Sequence, residues 1–320
     1  LNEQSARSFR LFGIFTLLYT VAVIIFGAWV RITGSGAGCG KHWPSCHGSA
    51  VPRAPSVETM IEFTHRLTSG LAFVLVVILA IAAFRVFHRG HPSRYWSIAS
   101  VIFMITEALI GAGLVIFGLV ETNDSAARAA AMSIHLVNTF LLTGAMSITI
   151  FYGRIDSYRR ALSQKGPRRT AVIIAAIAIL IMGMTGAVTA LGDTLYPVDP
   201  DTGKRLMERI ALEQHPTAHF LVRMRILHPS VAIIGALLVA GVTAGFAFRE
   251  PGFYIKRWGY ATAALMILQL LVGALNVVLH APGWMQLIHL GMATLIWISF
   301  VLFSSHLLEG RRYATDRAST

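Results

Sequence analysis

The chain has 320 residues, 55% of them apolar and 13% charged. That charged fraction is about half the ~25% of a soluble domain, which excludes a water-soluble globular protein. Lys and Arg number 27 against 15 Asp and Glu, a net charge of +12, but the excess sits in short blocks between long uncharged runs. Such a distribution belongs to membrane topology and not to nucleic-acid binding.

A bilayer core of ~30 Å takes about 20 apolar residues per helix. Eight runs meet that length: 11–30, 61–84, 95–119, 129–151, 170–192, 219–248, 258–279 and 284–306. The first lacks a small-residue cleavage site and has a full-length core, so it reads as a retained helix and not a signal peptide. From Trp258 to Leu308 there is no Asp, Glu, Lys or Arg, and only His280-Ala281-Pro282-Gly283 divides the last two spans. Of the 27 Lys and Arg, 17 fall in the two tails and in the connections 85–94, 154–169 and 249–257. The positive-inside rule then places both termini in the cytoplasm of a plasma-membrane protein and puts the long connections 31–60 and 193–218 outside.

The chain repeats itself. Met104-Ile-Thr-Glu107-Ala-Leu-Ile-Gly111-Ala112 of the third span aligns without a gap on Met266-Ile-Leu-Gln269-Leu-Leu-Val-Gly273-Ala274 of the seventh. The fourth and eighth share Ile134-His135-Leu136 and Ile288-His289-Leu290, while the ends of the first and fifth share Val30 with Gly34 and Val188 with Gly192. The expected fold is an all-α integral membrane protein of eight transmembrane helices in two tandem, pseudo-symmetric four-helix bundles, residues 1–160 and 161–320.

Each half carries one histidine early in its second helix, His65 or His228, and one in its fourth, His135 or His289. A membrane histidine can serve only to hydrogen-bond across helices. Recurrence on matching helices favours a pair of ligands, since an ionisable residue in the membrane is costly without a partner. Two histidines per pair, without a further His or Cys close by, suit haem iron better than zinc, which takes about four ligands. The other eight histidines (42, 47, 88, 91, 215, 219, 280 and 306) are expected to be solvated or interfacial.

The first external loop holds the two cysteines of the chain, Cys39 and Cys46, in a glycine-rich stretch. Six intervening residues and an oxidising compartment favour a disulfide, with structural and redox roles both open. Glu62 precedes His65 by three residues and so shares its helical face. It is either a proton-transferring carboxylate beside a haem or a charge that compensates the helix N-terminus. Glu107 lies in mid-membrane, where it is expected to hydrogen-bond within the bundle.

Val30-Arg31-Ile32-Thr33-Gly34-Ser35-Gly36, the Cys39/Cys46 loop with Trp43-Pro44, Ile61-Glu62 followed by His65-Arg66, and single histidines on helices four, six and eight together resemble the haem A synthase family. The resemblance covers nearly the whole transmembrane region. It implies oxidation of a methyl group of haem O to the formyl group of haem A for terminal oxidase assembly. His65 and His135 would face the iron of the substrate haem with Glu62 beside it as catalytic residues, and His228 and His289 would ligate a haem b cofactor. Two departures stand out: His228 is followed by Pro229 where many members have Arg, and the second external loop has no cysteine pair. Expected partners are haem O, the farnesyltransferase that produces it, an external electron donor that no motif names, membrane lipid and a second copy in a homo-oligomer. Two other readings use the same histidines: a di-haem b electron-transfer cytochrome and a haem carrier or exporter. A prenyltransferase is disfavoured, because paired Asp-rich motifs for magnesium pyrophosphate are missing.

Overall fold

A computed structural model describes residues 2–154, 166–198 and 206–309. Part of the basic connection 154–169, the boundary near 160 and the tail from 310 lie outside the described residues. Among the described residues, eight helices are long and apolar enough to cross a membrane. They are formed by α1 (Glu3–Ile32), α2 (Val57–Val86), α3 (Pro92–Ile116), α4 (Ala126–Phe151), α5 (Pro167–Leu195), a composite sixth span, α9 (Phe253–Val278) and α10 (Gly283–Glu309). A short helix α6 (Leu206–Glu213) lies in the second long connection, and the composite span joins α7 (Phe220–Arg223) through a 3-10 turn to α8 (Leu227–Arg249). Among the described residues there is no strand, only an isolated bridge between Cys46 and Ser49.

Local chemistry sets the helix ends. Asn2, Ser56, His91 and Ser125 cap α1 to α4 by accepting from backbone N–H groups in the first turn. At the far end of α3, Gly118 takes φ 63° and Leu119 N–H returns to the Leu114 carbonyl at 2.8 Å. This left-handed cap stops the helix at Ile116, short of the expected Leu119. The sixth span is not the single regular helix expected. Pro229 has no N–H to offer the Arg225 carbonyl one turn back, and the chain tightens into a 3-10 turn at Met224–Ile226 before α8 begins. His228 therefore lies in the first turn of a fresh helix, whereas His65 lies inside an unbroken one.

Helices α1 to α4 close a ring in which α1 packs on α2, α2 on α3, α3 on α4 and α4 back on α1. A second ring runs α5, α8, α9, α10 and back to α5, and the two meet where α4 packs on α5 and α10 and where α1 touches α10. That seam holds the largest apolar core, in which the Trp297 ring stacks on Phe140 and its Nε1 donates to the Phe140 carbonyl at 2.5 Å. A Cβ on Gly144 would stand only 3.0 Å from the same indole nitrogen, so glycine is what lets α4 and α10 approach. Outward-facing Leu18, Ile234 and Leu271 are exposed, as lipid-facing side chains are.

Candidate functional site

The first histidine pair is built by α2 and α4. His65 projects from α2 toward α1, where a Cβ on Gly27 would lie 3.0 Å from its Cε1, and Phe26 meets its ring edge-to-face at 5.5 Å. His65 and His135 stand on α2 and α4, which lie across from one another in the first ring. Beside His135 stands Glu107 of α3, with Oε1 3.4 Å from His135 Nδ1. That is ion-pair distance without hydrogen-bond alignment, and both His65 Nδ1 and His135 Nδ1 are buried without a hydrogen-bond partner. Glu107 also accepts from Thr139 Oγ1 at 2.5 Å and Asn138 Nδ2 at 2.6 Å.

The second pair is built by α8 and α10. The His228 and His289 rings lie 6.2 Å apart between centroids and 87° apart in plane. Two metal–imidazole bonds of about 2.0–2.1 Å, each extended by about 1.1 Å to the ring centre, span about 6.3 Å, so the spacing fits two histidines sharing one metal ion. Thr185 Oγ1 lies 3.1 Å from His228 Nδ1. Glycines again make room: a Cβ on Gly186 would stand 3.1 Å from His228 Cε1, and one on Gly273 would stand 3.2 Å from His289 Cε1. His289 Nδ1 is a further buried nitrogen without a partner. No group of three or more His, Cys, Asp or Glu converges on a metal site among the described residues. A donor set of two imidazoles fits haem, whose porphyrin nitrogens supply the remaining equatorial bonds.

Above the first pair, Cys39 and Cys46 form a disulfide. Both are essentially buried, at 0% and 1% exposure, although the loop around them is at the surface. Glu62 holds that loop in place. Its Oε2 accepts from the Cys39 N–H at 2.7 Å, and its Oε1 accepts from Arg66 Nη2 at 2.5 Å and Nε at 3.1 Å. Arg66 in turn donates to the carbonyls of His42 and Ser45, at 2.7 and 2.6 Å. Gly38 comes so close to the start of α2 that a Cβ there would meet the Glu58 carbonyl at 2.5 Å. Glu62 is thus turned toward the loop.

Arg225 occupies the matching place in the other half, three residues before His228, and it also anchors a loop. It pairs with Asp193 at 2.9 Å and Glu213 at 3.2 Å, and donates to the Gly192 carbonyl at 3.0 Å and to the Tyr196 carbonyl. Arg209 of α6 bonds Glu213 and the Val277 carbonyl at the end of α9, which ties the second connection across its bundle. Arg31, at the end of α1, crosses between the rings to the Ala190 carbonyl at 2.6 Å, to Thr194 and to Gln286 at 2.9 Å. Glu62 and Arg225 thus carry opposite charge at one register position, and each holds a loop. The glycines beside the histidine rings and the approach of Glu107 to His135 had no counterpart in the sequence pattern.

One histidine assignment needs correction. His91 is not solvated: it is 1% exposed, stacks on Phe87 at 4.3 Å and accepts from the Ser93 N–H as the cap of α3. Burial, with His88 beside it, pushes its pKa down to about 4. His219, expected in a loop, stacks on Tyr196 at 4.9 Å and faces Asp124 at 3.4 Å, linking the connections of the two halves.

The family model described as "Cytochrome oxidase assembly protein", COX15-CtaA, matches residues 10–301. The chain belongs to this family. Among its relatives, a Thermus thermophilus protein named protoheme IX farnesyltransferase is 45% identical over 295 residues, which is 92% of this chain and 47% of that protein. The chain thus spans about half the length of that relative. A heme A synthase of Bacillus cereus is 30% identical over 291 residues, 88% of each chain, and one of Halalkalibacterium halodurans is 44% identical over 112 residues, 35% of this chain and 38% of that one.

Proposed function

We propose that the chain is a haem A synthase, converting a methyl group of haem O to the formyl group of haem A. The observation that carries this reading is the doubled histidine site. Each half of the molecule sets two imidazoles on facing helices, clears space beside them with glycine and leaves ring nitrogens without protein partners. The half 1–160 handles the substrate through His65 and His135, and the half 161–320 holds haem b through His228 and His289. Both termini are cytoplasmic in the plasma membrane and the disulfide loop is external, following the basic blocks of the sequence.

Haem iron supplies the oxidation chemistry, and the protein supplies position and proton handling. Methyl-to-formyl conversion amounts to two hydroxylations and loss of water, with oxidant and electrons supplied from outside the chain, so protons are exchanged with the surroundings of the reacting carbon. Glu62, one turn from His65, is the carboxylate placed to relay them. Because both its oxygens also hold the disulfide loop, proton transfer and loop position are coupled at this residue. His65 and His135 would hold the substrate porphyrin through its iron.

The farnesyl transfer named for the Thermus relative needs clustered carboxylates to hold magnesium pyrophosphate. The six Asp of this chain lie at 124, 156, 193, 199, 201 and 316, with no second cluster to pair with Asp199 and Asp201. That activity is therefore assigned to the length of the relative that this chain does not cover, and it fits a farnesyltransferase as the source of haem O. The decisive test is pigment extraction after expression with a haem O supply. Haem A in the extract supports the synthase. Its absence from membranes that hold the folded protein with two haems supports the di-haem cytochrome, and a single exchangeable haem supports the carrier. His228→Ala and His289→Ala should each abolish low-spin haem b, and retention in both variants would refute the cofactor assignment.

A further inference from the structure

We infer that Glu107 is a positioning residue for the iron ligand of the substrate half: it orients the His135 ring and raises its donor strength, so that the two haem sites differ in axial-ligand field. The inference rests on the reading of His65 and His135 as haem ligands. A carboxylate on a mid-membrane helix face is costly and needs a reason. Here the surroundings are built to present it to one nitrogen. Asn138 is locked, with its Oδ1 accepting from Thr106 Oγ1 at 2.6 Å and its Nδ2 donating to the Phe103 carbonyl at 2.9 Å and to Glu107 Oε2 at 2.6 Å. The amide cannot flip without losing these bonds, so the group that Glu107 meets there is a donor. Thr139 has one hydroxyl proton and two acceptors in reach, Glu107 Oε1 at 2.5 Å and the His135 carbonyl at 2.9 Å. The shorter, charge-assisted bond takes it.

With both oxygens acting as acceptors, the remaining donor partner for Oε1 is His135 Nδ1, 3.4 Å away. A small ring rotation closes that bond and fixes the tautomer with Nε2 free to face iron, the arrangement that carboxylate–histidine pairs give metal sites. The other half lacks this device. At the same register α9 carries Gln269, whose Nε2 donates to the His289 carbonyl at 3.0 Å and leaves His289 Nδ1 without a partner. His228 Nδ1 meets only the Thr185 hydroxyl. A negative partner on one iron ligand and neutral surroundings on the other pair should favour ferric iron in the substrate half relative to the cofactor half.

The test uses the detergent-solubilised full chain carrying its haem b and loaded with haem O, with a redox titration followed by absorbance at each haem. Glu107→Gln should move the substrate-half equilibrium toward ferrous iron by about tenfold, which is about 59 mV for one electron, while the cofactor haem stays within about twofold. Thr139→Val leaves the carboxylate but removes a competing donor, so it should move the same equilibrium the opposite way. It also keeps the question answerable if Glu107→Gln does not assemble. Opposite shifts confined to one haem support the inference. No shift in the variants that assemble, shifts of one sign in both, or equal shifts at both haems would overturn it. If haem O spectra of the wild type are unchanged by His65→Ala and His135→Ala, the ligand reading itself fails, independently of any Glu107 effect.

Discussion

Replacing Glu62 with Gln and Arg66 with Met, singly and together, isolates what holds the disulfide loop against α2. Charge-assisted hydrogen bonds contribute about 1.5–3 kcal/mol each in protected sites. Glu62 is 3% exposed and receives three N–H bonds, one from Cys39 and two from Arg66. Gln keeps an acceptor for the Cys39 amide but forfeits the charge, so a local loss of about 2 kcal/mol follows. Arg66→Met costs a similar amount by stranding the carboxylate and releasing the His42 and Ser45 carbonyls. The assay is reduction of Cys39–Cys46 by a water-soluble phosphine, trapped by alkylation and read by mass. Since both cysteines are buried, reductant reaches the bond only when the loop opens. At about 1.4 kcal/mol per decade, 2 kcal/mol is roughly a 30-fold faster reduction. The double variant removes both charges together and should fall short of the product of the single effects by a coupling of at least about 1 kcal/mol. Single variants within threefold of wild type, or effects that simply multiply, would refute the claim that this ion pair holds the loop.

Glu62→Gln in membranes supplied with haem O should lower the haem A fraction and accumulate haem O or a hydroxylated intermediate at constant haem b, and a wild-type product ratio would remove Glu62 from the site. Gly186→Val, which drives a side chain into His228, should cut retained haem b at least threefold, with an overpacking cost of about 1–3 kcal/mol. Gly27→Val should spare haem b and lower haem A output, and identical pigment profiles for the two variants would refute the assignment of separate roles to the hollows. Between the two long connections, the Tyr196 hydroxyl donates to Asp124 at 2.5 Å, holding that carboxyl below its usual range and pushing the phenol up. This contact supports the fold fully between about pH 3.9 and about pH 10, the ordinary carboxyl and phenol values. It is lost as pH falls through the depressed Asp124 value or rises through the elevated Tyr196 value. Asp124→Asn should return Tyr196 to an ordinary phenol titration by ultraviolet absorbance, and an unchanged curve would refute the pairing.

Hydropathy made the eight spans legible because lipid demands continuous apolar runs, whereas soluble helices show only a stripe. The paired histidines were legible because the chain carries them twice, on matching helices. Helix breaks were harder. Pro229 announces an interruption, but not that the turn before it would tighten to a 3-10 form over Met224–Ile226. The role of Glu62 was half legible: its spacing from His65 is a property of the helix, but its rotation toward Cys39 depends on a loop whose path no periodicity encodes. His91 was misjudged for a similar reason, since a residue in the short connection before a span looks wet until Phe87 is seen to cover it.

The paired anchors Glu62 and Arg225 have opposite charge at one register position, so the long connections of the two halves are not interchangeable parts. The first loop offers α2 a backbone N–H and therefore wants an acceptor, whereas the second offers carbonyls and carboxylates to the α7–α8 junction and wants a donor. A chimaera with the Cys39–Cys46 loop grafted above α8 would point an amide proton at a guanidinium. The reverse graft would bring Asp193 and Glu213 against Glu62. A molecule assembled from two copies of one half would keep each loop on its own anchor, so the mismatch appears only when a loop is moved without the residue that holds it.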